Sequence, residues 1–192
     1  MRRLWRWVKR QFEKPPVVVV VPEPEIITSE GGTVWITKDD INKRTIMYYE
    51  FLYSTMILKD QKAVERVVNR IEEDKDRYLS AEILTGIDWR IIAVIHNMEA
   101  SGNFDRQILN GEKWDRRTRL IPKRKGPWYS WEESCITAFE YHKLNSQKIG
   151  HVLKFLERFN GLGYIRKGIN SPYIWSYSNH YGSGKYIADG EY

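Results

Sequence analysis

Cysteine is almost absent from this chain. Cys135 is the single one in 192 residues, so no disulfide can close within it, and nothing in its composition calls for an oxidising compartment. Histidine is nearly as scarce: His96, His142, His151 and His180 stand apart, with no cysteine partner and no metal-ligand spacing. That removes the clustered donor sets of structural zinc modules, and neither a metal nor a cofactor is expected. Long apolar stretches are missing as well. Val17 to Val21 is an apolar run of five, far short of the roughly 20 residues that cross a bilayer as a helix. The amino terminus has neither the apolar core nor the small-residue cleavage site of a secretory signal. No recognisable nucleic-acid-binding module is present, so no specific nucleic acid is expected as a partner.

What the chain has in excess is positive charge and aromatic rings. The formal net charge is +6, and 14% of the residues are aromatic, with eight Trp and twelve Tyr. A basic surface favours anionic partners such as a lipid surface or a wall polymer, and flat rings suit ring-shaped ligands as well as cores. Both features are concentrated in Met1–Lys14, where Arg2, Arg3, Arg6, Lys9 and Arg10 alternate with Leu4, Trp5, Trp7, Val8 and Phe12. As a helix this segment has the make-up of an interfacial anchor on an anionic membrane surface; a basic tail or a packing arm in a larger assembly is the other reading. Pro15-Pro16 and Pro22-Glu23-Pro24 bracket the valines and mark an extended linker. Residues 1–36 are therefore expected to be an appendage and 37–192 a single folded domain, opened by a helix capped at Thr37 or Asp39.

Helical periodicity dominates that domain. Ile41 to Ile57 carries Ile46, Tyr49, Tyr53 and Met56 on one stripe, and Ala63 to Tyr78 carries Val64, Val67, Val68 and Ile71. A third helix is expected from Asp88 to Glu99, a fourth from Trp131 to Leu144 with a capping box from Ser130 and Glu133, and a fifth from Ser146 to Phe159. Between Phe104 and Trp128 the Asn110-Gly111 turn signal and the run Arg119-Leu120-Ile121-Pro122 predict a small hairpin. The fold class is mainly α with a small β-hairpin.

Glu99 stands out. At helical spacing it shares a face with Ile92, Ile95 and His96, just before the helix stop at Gly102. Burial and the negative end of the helix dipole both disfavour its ionised form, so it is expected to stay protonated near neutral pH, as a general acid must. Glu112, Asp115 and Thr118 follow in the predicted hairpin. A buried acid facing acidic or polar residues suits cleavage of a glycosidic bond: one carboxyl group protonates the leaving oxygen, and the opposite side activates a water or stabilises the cation. His96, one turn before Glu99, either orients the acid or fills the floor of the cleft.

The blocks Trp89–Phe104, Leu109-Asn110-Gly111-Glu112 with Arg117-Thr118, and Trp131-Glu132-Glu133-Ser134 resemble the catalytic region of lysozyme-like peptidoglycan hydrolases of bacteria and phages. Leu156–Tyr164, Ser171–Ser176, Gly184-Lys185-Tyr186 and Asp189-Gly190 continue the likeness in the same order, so that it covers roughly residues 40–192. The resemblance implies a lysozyme-like fold, Glu99 as the acid, Glu112 as the second carboxylate at a position where the family usually has Asp, and Thr118 as a water-orienting hydroxyl. It implies that the Phe159-Asn160-Gly161 and Ser171-Pro172-Tyr173 segments line the sugar cleft. Asn160 would then meet an N-acetyl group, and Tyr164, Tyr173 and Trp175 would offer faces to sugar rings. The implied activity is a muramidase acting on peptidoglycan glycan strands. The same acid would serve a lytic transglycosylase, and a non-catalytic wall-binding or virion structural module is the alternative from another class. A phage protein of this kind is made in the host cytoplasm and acts at the wall or periplasm, membrane-attached or carried in the virion.

Overall fold

The computed structural model describes residues 25–29, 32–36 and 38–182. The expected membrane-surface segment 1–14, the Pro/Val-rich stretch after it and the blocks at 184–190 lie outside the described residues, as does Thr37. Two strands, β1 (Glu25–Ser29) and β2 (Gly32–Ile36), pair antiparallel with Ile27 opposite Val34. This ribbon falls in a stretch expected to be linker, and its sequence supplies a reason: Ile26-Ile27-Thr28 and Thr33-Val34-Trp35-Ile36 are β-branched and aromatic residues that favour strands.

Helices make up most of the rest: α1 (Lys38–Lys43), α2 (Ile46–Ser54), α3 (Gln61–Glu73), α4 (Lys75–Thr85), α5 (Trp89–Ala100), α6 (Trp131–Tyr141), α7 (Ile149–Phe159) and the single turns α8 (Gly163–Arg166) and α9 (Pro172–Trp175). Among the described residues none is long and apolar enough to cross a membrane. The mainly helical class holds, but two expected helices are each split. Thr45 ends one and starts the next, its hydroxyl accepting the Tyr48 amide at 3.3 Å and donating to Asp40 at 2.8 Å, while Arg44 before it has φ 46°. A cap placed just before the first residue of the apolar stripe starts a new helix and leaves the stripe's periodicity intact. Asp74, without a side-chain cap bond, separates α3 from α4, which runs on to Gly86 in a left-handed conformation (φ 69°).

The hairpin expected between Phe104 and Trp128 does not form. That segment holds an isolated bridge, Arg106 to Lys113, and Arg119–Pro122 runs through turns rather than a strand. The physical reason lies in its polar side chains. Gln107, Glu112 and Thr118 each accept nearby backbone amides that a strand ladder would need.

The chain divides into two compact units, residues 69–147 and residues 1–68 with 148–192, with the boundary inside α3. In the unit that contains α7, Tyr48, Tyr49, Leu52, Leu153 and Trp175 form the core. Gly150 brings α7 against α2 so closely that a Cβ there would meet Ile46 Cγ2 at 2.9 Å. A buried ion pair ties the same parts together. Arg44 Nη1 donates to Glu157 at 2.9 Å and to Asn170 at 3.0 Å, and Nη2 donates to the Ile169 carbonyl at 2.8 Å. Burial raises the pKa of Glu157 even with that guanidinium beside it.

Candidate active site

The residues around Glu99 all lie in the 69–147 unit, and α5 is its central element. Asp88 starts the helix by accepting the Arg90 amide at 2.9 Å. Ile92, Ala93, Ile95 and His96 are fully buried, as the apolar stripe predicts. At the far end Ser101 and Gly102 both adopt positive φ, 54° and 76°, and their amides return to the carbonyls of Asn97 (3.1 Å) and His96 (3.3 Å). The helix therefore stops immediately beyond Glu99. Arg70 adds a side-chain bond to Asn97 on the same turn.

Glu99 is half-buried, and its pKa is raised to about 7. Burial is the cause; no neighbouring charge contributes, that of Glu112 included. Among the described residues no side chain or backbone group hydrogen-bonds the carboxyl group. It is a proton carrier withdrawn from solvent, half in its acid form near neutral pH.

The loop after α5 is built against this turn. Gln107, completely buried, accepts the amides of Leu109 (2.6 Å) and Asn110 (3.2 Å) on its side-chain oxygen. Its backbone bonds the Glu112 carbonyl at 2.8 Å and accepts the Gly111 amide at 3.1 Å. Gly111, at φ 72°, then passes directly over the Glu99 carbonyl. The Asn110-Gly111 pair announces the turn in the sequence; nothing there distinguishes Gln107, whose role emerges only once the loop is folded.

Glu112 is half-buried, and one carboxylate oxygen accepts the amides of Arg119 at 2.8 Å and Leu120 at 2.9 Å. Thr118 is buried, its hydroxyl donating to the Pro122 carbonyl at 2.6 Å and accepting the Lys125 amide at 3.0 Å. Both side chains thus hold the 118–125 turn in shape. The third acid of the sequence trio, Asp115, is exposed and paired with Arg116 at 3.2 Å.

His96 is fully buried, one turn behind Glu99. Its Nδ1 shares a 2.9 Å hydrogen bond with the Tyr78 hydroxyl, and its ring lies 4.5 Å from Phe104 and 4.7 Å from Trp131, centroid to centroid. Burial lowers its pKa to about 4, so the imidazole is neutral at physiological pH. Of its two sequence readings, the geometry matches packing: the ring is covered by protein and presents no surface to a substrate.

Asn160, Tyr164, Tyr173 and Trp175, which the resemblance assigns to sugar binding, belong to the other compact unit. Trp175 is a core residue, 1% exposed, and Tyr164 is 3% exposed with its ring against Tyr173. Tyr173 is open to solvent at 40%. Asn160, at the end of α7, is half-buried and donates back to the Leu156 carbonyl at 3.2 Å. Tyr173 and Asn160 keep surface that a ligand can touch, whereas Tyr164 and Trp175 are committed to packing. Among the described residues no three His, Cys, Asp or Glu side chains gather as a metal ion would require. Comparison with protein-family models, curated proteins and solved structures finds no match to this chain.

Proposed function

We propose that this chain cleaves the glycan strand of bacterial peptidoglycan, with Glu99 as the general acid. The observation that carries the reading is the Glu99 carboxyl group itself. It sits on the last turn of α5 with its pKa raised to about 7 by burial alone, which matches a group that must hold a proton until the glycosidic oxygen takes it. The mainly helical architecture is compatible with the lysozyme-like fold that the sequence resembles. In the muramidase reading Glu112 is the second carboxylate: its Oε2 caps two amides while its other oxygen remains to position a water. Tyr173 and Asn160 are the accessible candidates for sugar contact. The enzyme would act at the wall, reached from the host cytoplasm by membrane attachment through Met1–Lys14 or as part of a virion.

One observation favours a second reading, the lytic transglycosylase. Thr118 uses its hydroxyl to donate to Pro122 and to accept from Lys125, and Glu112 adds no charge effect to Glu99. A single acid with no committed water site suits attack by the sugar's own hydroxyl. Mass spectrometry of digested wall separates the two: reducing muropeptides support hydrolysis, and anhydro-muropeptides alone support the transglycosylase. A zymogram of the native chain beside Glu99→Gln tests both. Clearing by the native chain only is expected; equal clearing would count against Glu99 as the acid, and none from either would leave the non-catalytic wall-binding or virion module.

A further inference from the structure

The segment from Lys113 to Lys125 holds seven basic residues against Asp115 alone, a formal charge as large as that of the whole chain. Arg117, Arg119, Lys123 and Arg124 are exposed, and among the described residues none of the four has an ion-pair partner. At the tip, between the basic groups, two adjacent aliphatic side chains face solvent: Leu120 is 57% exposed and Ile121 76%. Aliphatic groups this open on a charged turn are not core residues, and they make the tip amphipathic.

Part of the backbone of this turn is satisfied from within. Glu112 accepts the amides of Arg119 and Leu120, and Asn110 donates to the Ile121 carbonyl at 3.4 Å. Thr118 bonds both Pro122 and Lys125, while the Thr118 amide reaches the Lys125 carbonyl at 2.9 Å and the Arg124 amide reaches the Thr118 carbonyl at 2.9 Å. Pro122 has no amide to lose. The Leu120 amide and the Ile121 carbonyl are thus paired within the turn, which lowers the desolvation cost of bringing its tip to an apolar interface.

We propose that the Arg119–Arg124 turn is a docking element for the anionic phospholipid surface of a bilayer, with Leu120 and Ile121 entering the interface and the flanking cations resting on lipid phosphates. The cations alone would serve any polyanion. The two aliphatic side chains favour the bilayer, since a hydrated polymer has no apolar phase to receive them. The docking element belongs to the 69–147 unit and does not depend on catalysis by Glu99.

The test uses the full chain, so that Met1–Lys14 is present throughout. Ile121→Cys labelled with bimane reports the turn itself, the native Cys135 being buried. Its emission should shift to the blue on vesicles of phosphatidylglycerol and phosphatidylethanolamine, stay unshifted on phosphatidylcholine, and lose the shift at high salt. In flotation with the same anionic vesicles, Leu120→Ser with Ile121→Ser, and separately Lys123→Glu with Arg124→Glu, should each weaken binding by about tenfold or more. Unshifted bimane emission on anionic vesicles overturns the proposal. So does equal binding of the native chain and the Leu120→Ser, Ile121→Ser variant to soluble polyglycerol phosphate combined with unchanged flotation, which would identify the turn as a polyanion site.

Discussion

Gly111 lies against the carbonyl oxygen of Glu99: a Cβ built on the glycine would meet that oxygen at 2.4 Å. The contact is backbone to backbone, so no rotamer change can relieve it. The loop that carries Glu112 and the turn that carries the acid are therefore fitted to each other at the one residue type that permits it.

Gly111→Ala should accordingly be among the more damaging small substitutions in the chain. The left-handed φ of 72° costs roughly 1 kcal/mol for alanine and the clash adds to it, for a total of about 2–4 kcal/mol. Thermal denaturation should show the loss, and wall-clearing activity should fall with it. Gly86→Ala supplies the control: φ is 69° there, but nothing lies within 4 Å of the added Cβ, so only the conformational part is expected.

Glu99→Gln should remove activity by about 10²–10⁴-fold, the usual contribution of a general acid. In the native chain, the activity that needs the protonated form should decline with an apparent pKa of about 7. Stability should fall with rising pH as well. With the folded pKa above the unfolded value of 4.5, the folded state holds the extra proton between those values. Stability is thus lost as pH rises from about 4.5 to 7 and levels off above. Glutamine escapes that loss, so the variant should be the more stable at pH 8 by about 2–3 kcal/mol and nearly equal to the native chain at pH 4. Calorimetry at the two pH values reads the difference.

His96 should give the opposite slope. Its folded pKa of about 4 lies below the unfolded value of 6.5, so its contribution is intact above pH 6.5 and is lost as pH falls toward 4. In the native chain this partly cancels the Glu99 effect between about pH 4.5 and 6.5. Denaturant unfolding of Glu99→Gln across that range should expose an acid destabilisation of about 2–3 kcal/mol that the native chain conceals.

Arg44 and Glu157 form a pair in which one partner alone is worse than neither. Arg44→Met should cost about 3–5 kcal/mol by leaving a carboxyl group buried without its cation, and Glu157→Leu a similar amount. The double variant should be less damaged than the sum of the two, as a double-mutant cycle of urea midpoints would show.

Much of the helical framework was legible because apolar periodicity and caps act locally. The Asp88 cap, the Ile92/Ile95/His96 stripe and the helix stop beside Gly102 all follow from residues within a few positions of one another. Ser130 caps α6 as its sequence indicates, but Glu133 bonds the Tyr129 amide at 2.7 Å rather than that of Ser130. The segment 104–128 was misread because turn propensity does not reveal whether side chains will capture the backbone. Gln107, Glu112 and Thr118 do so, and the strands disappear. Thr45 divides the helix expected over Ile41–Ile57 for a similar reason, a hydroxyl reaching the amide three residues on. Trp175 and Tyr164 illustrate the limit for aromatics, since composition cannot separate a ring that meets a ligand from one that fills a core.

The bare carboxyl group of Glu99 has a mechanical consequence. The hydrogen bonds and close contact that fix this turn act through the main chain: the Ser101 and Gly102 returns and the Gly111 contact. The carboxyl group itself has no hydrogen-bond tether among the described residues, so its reach from that fixed pivot is set by the length of the side chain. Shortening the arm by one methylene, as in Glu99→Asp, would withdraw the proton from the bond while the anchored pivot could not follow.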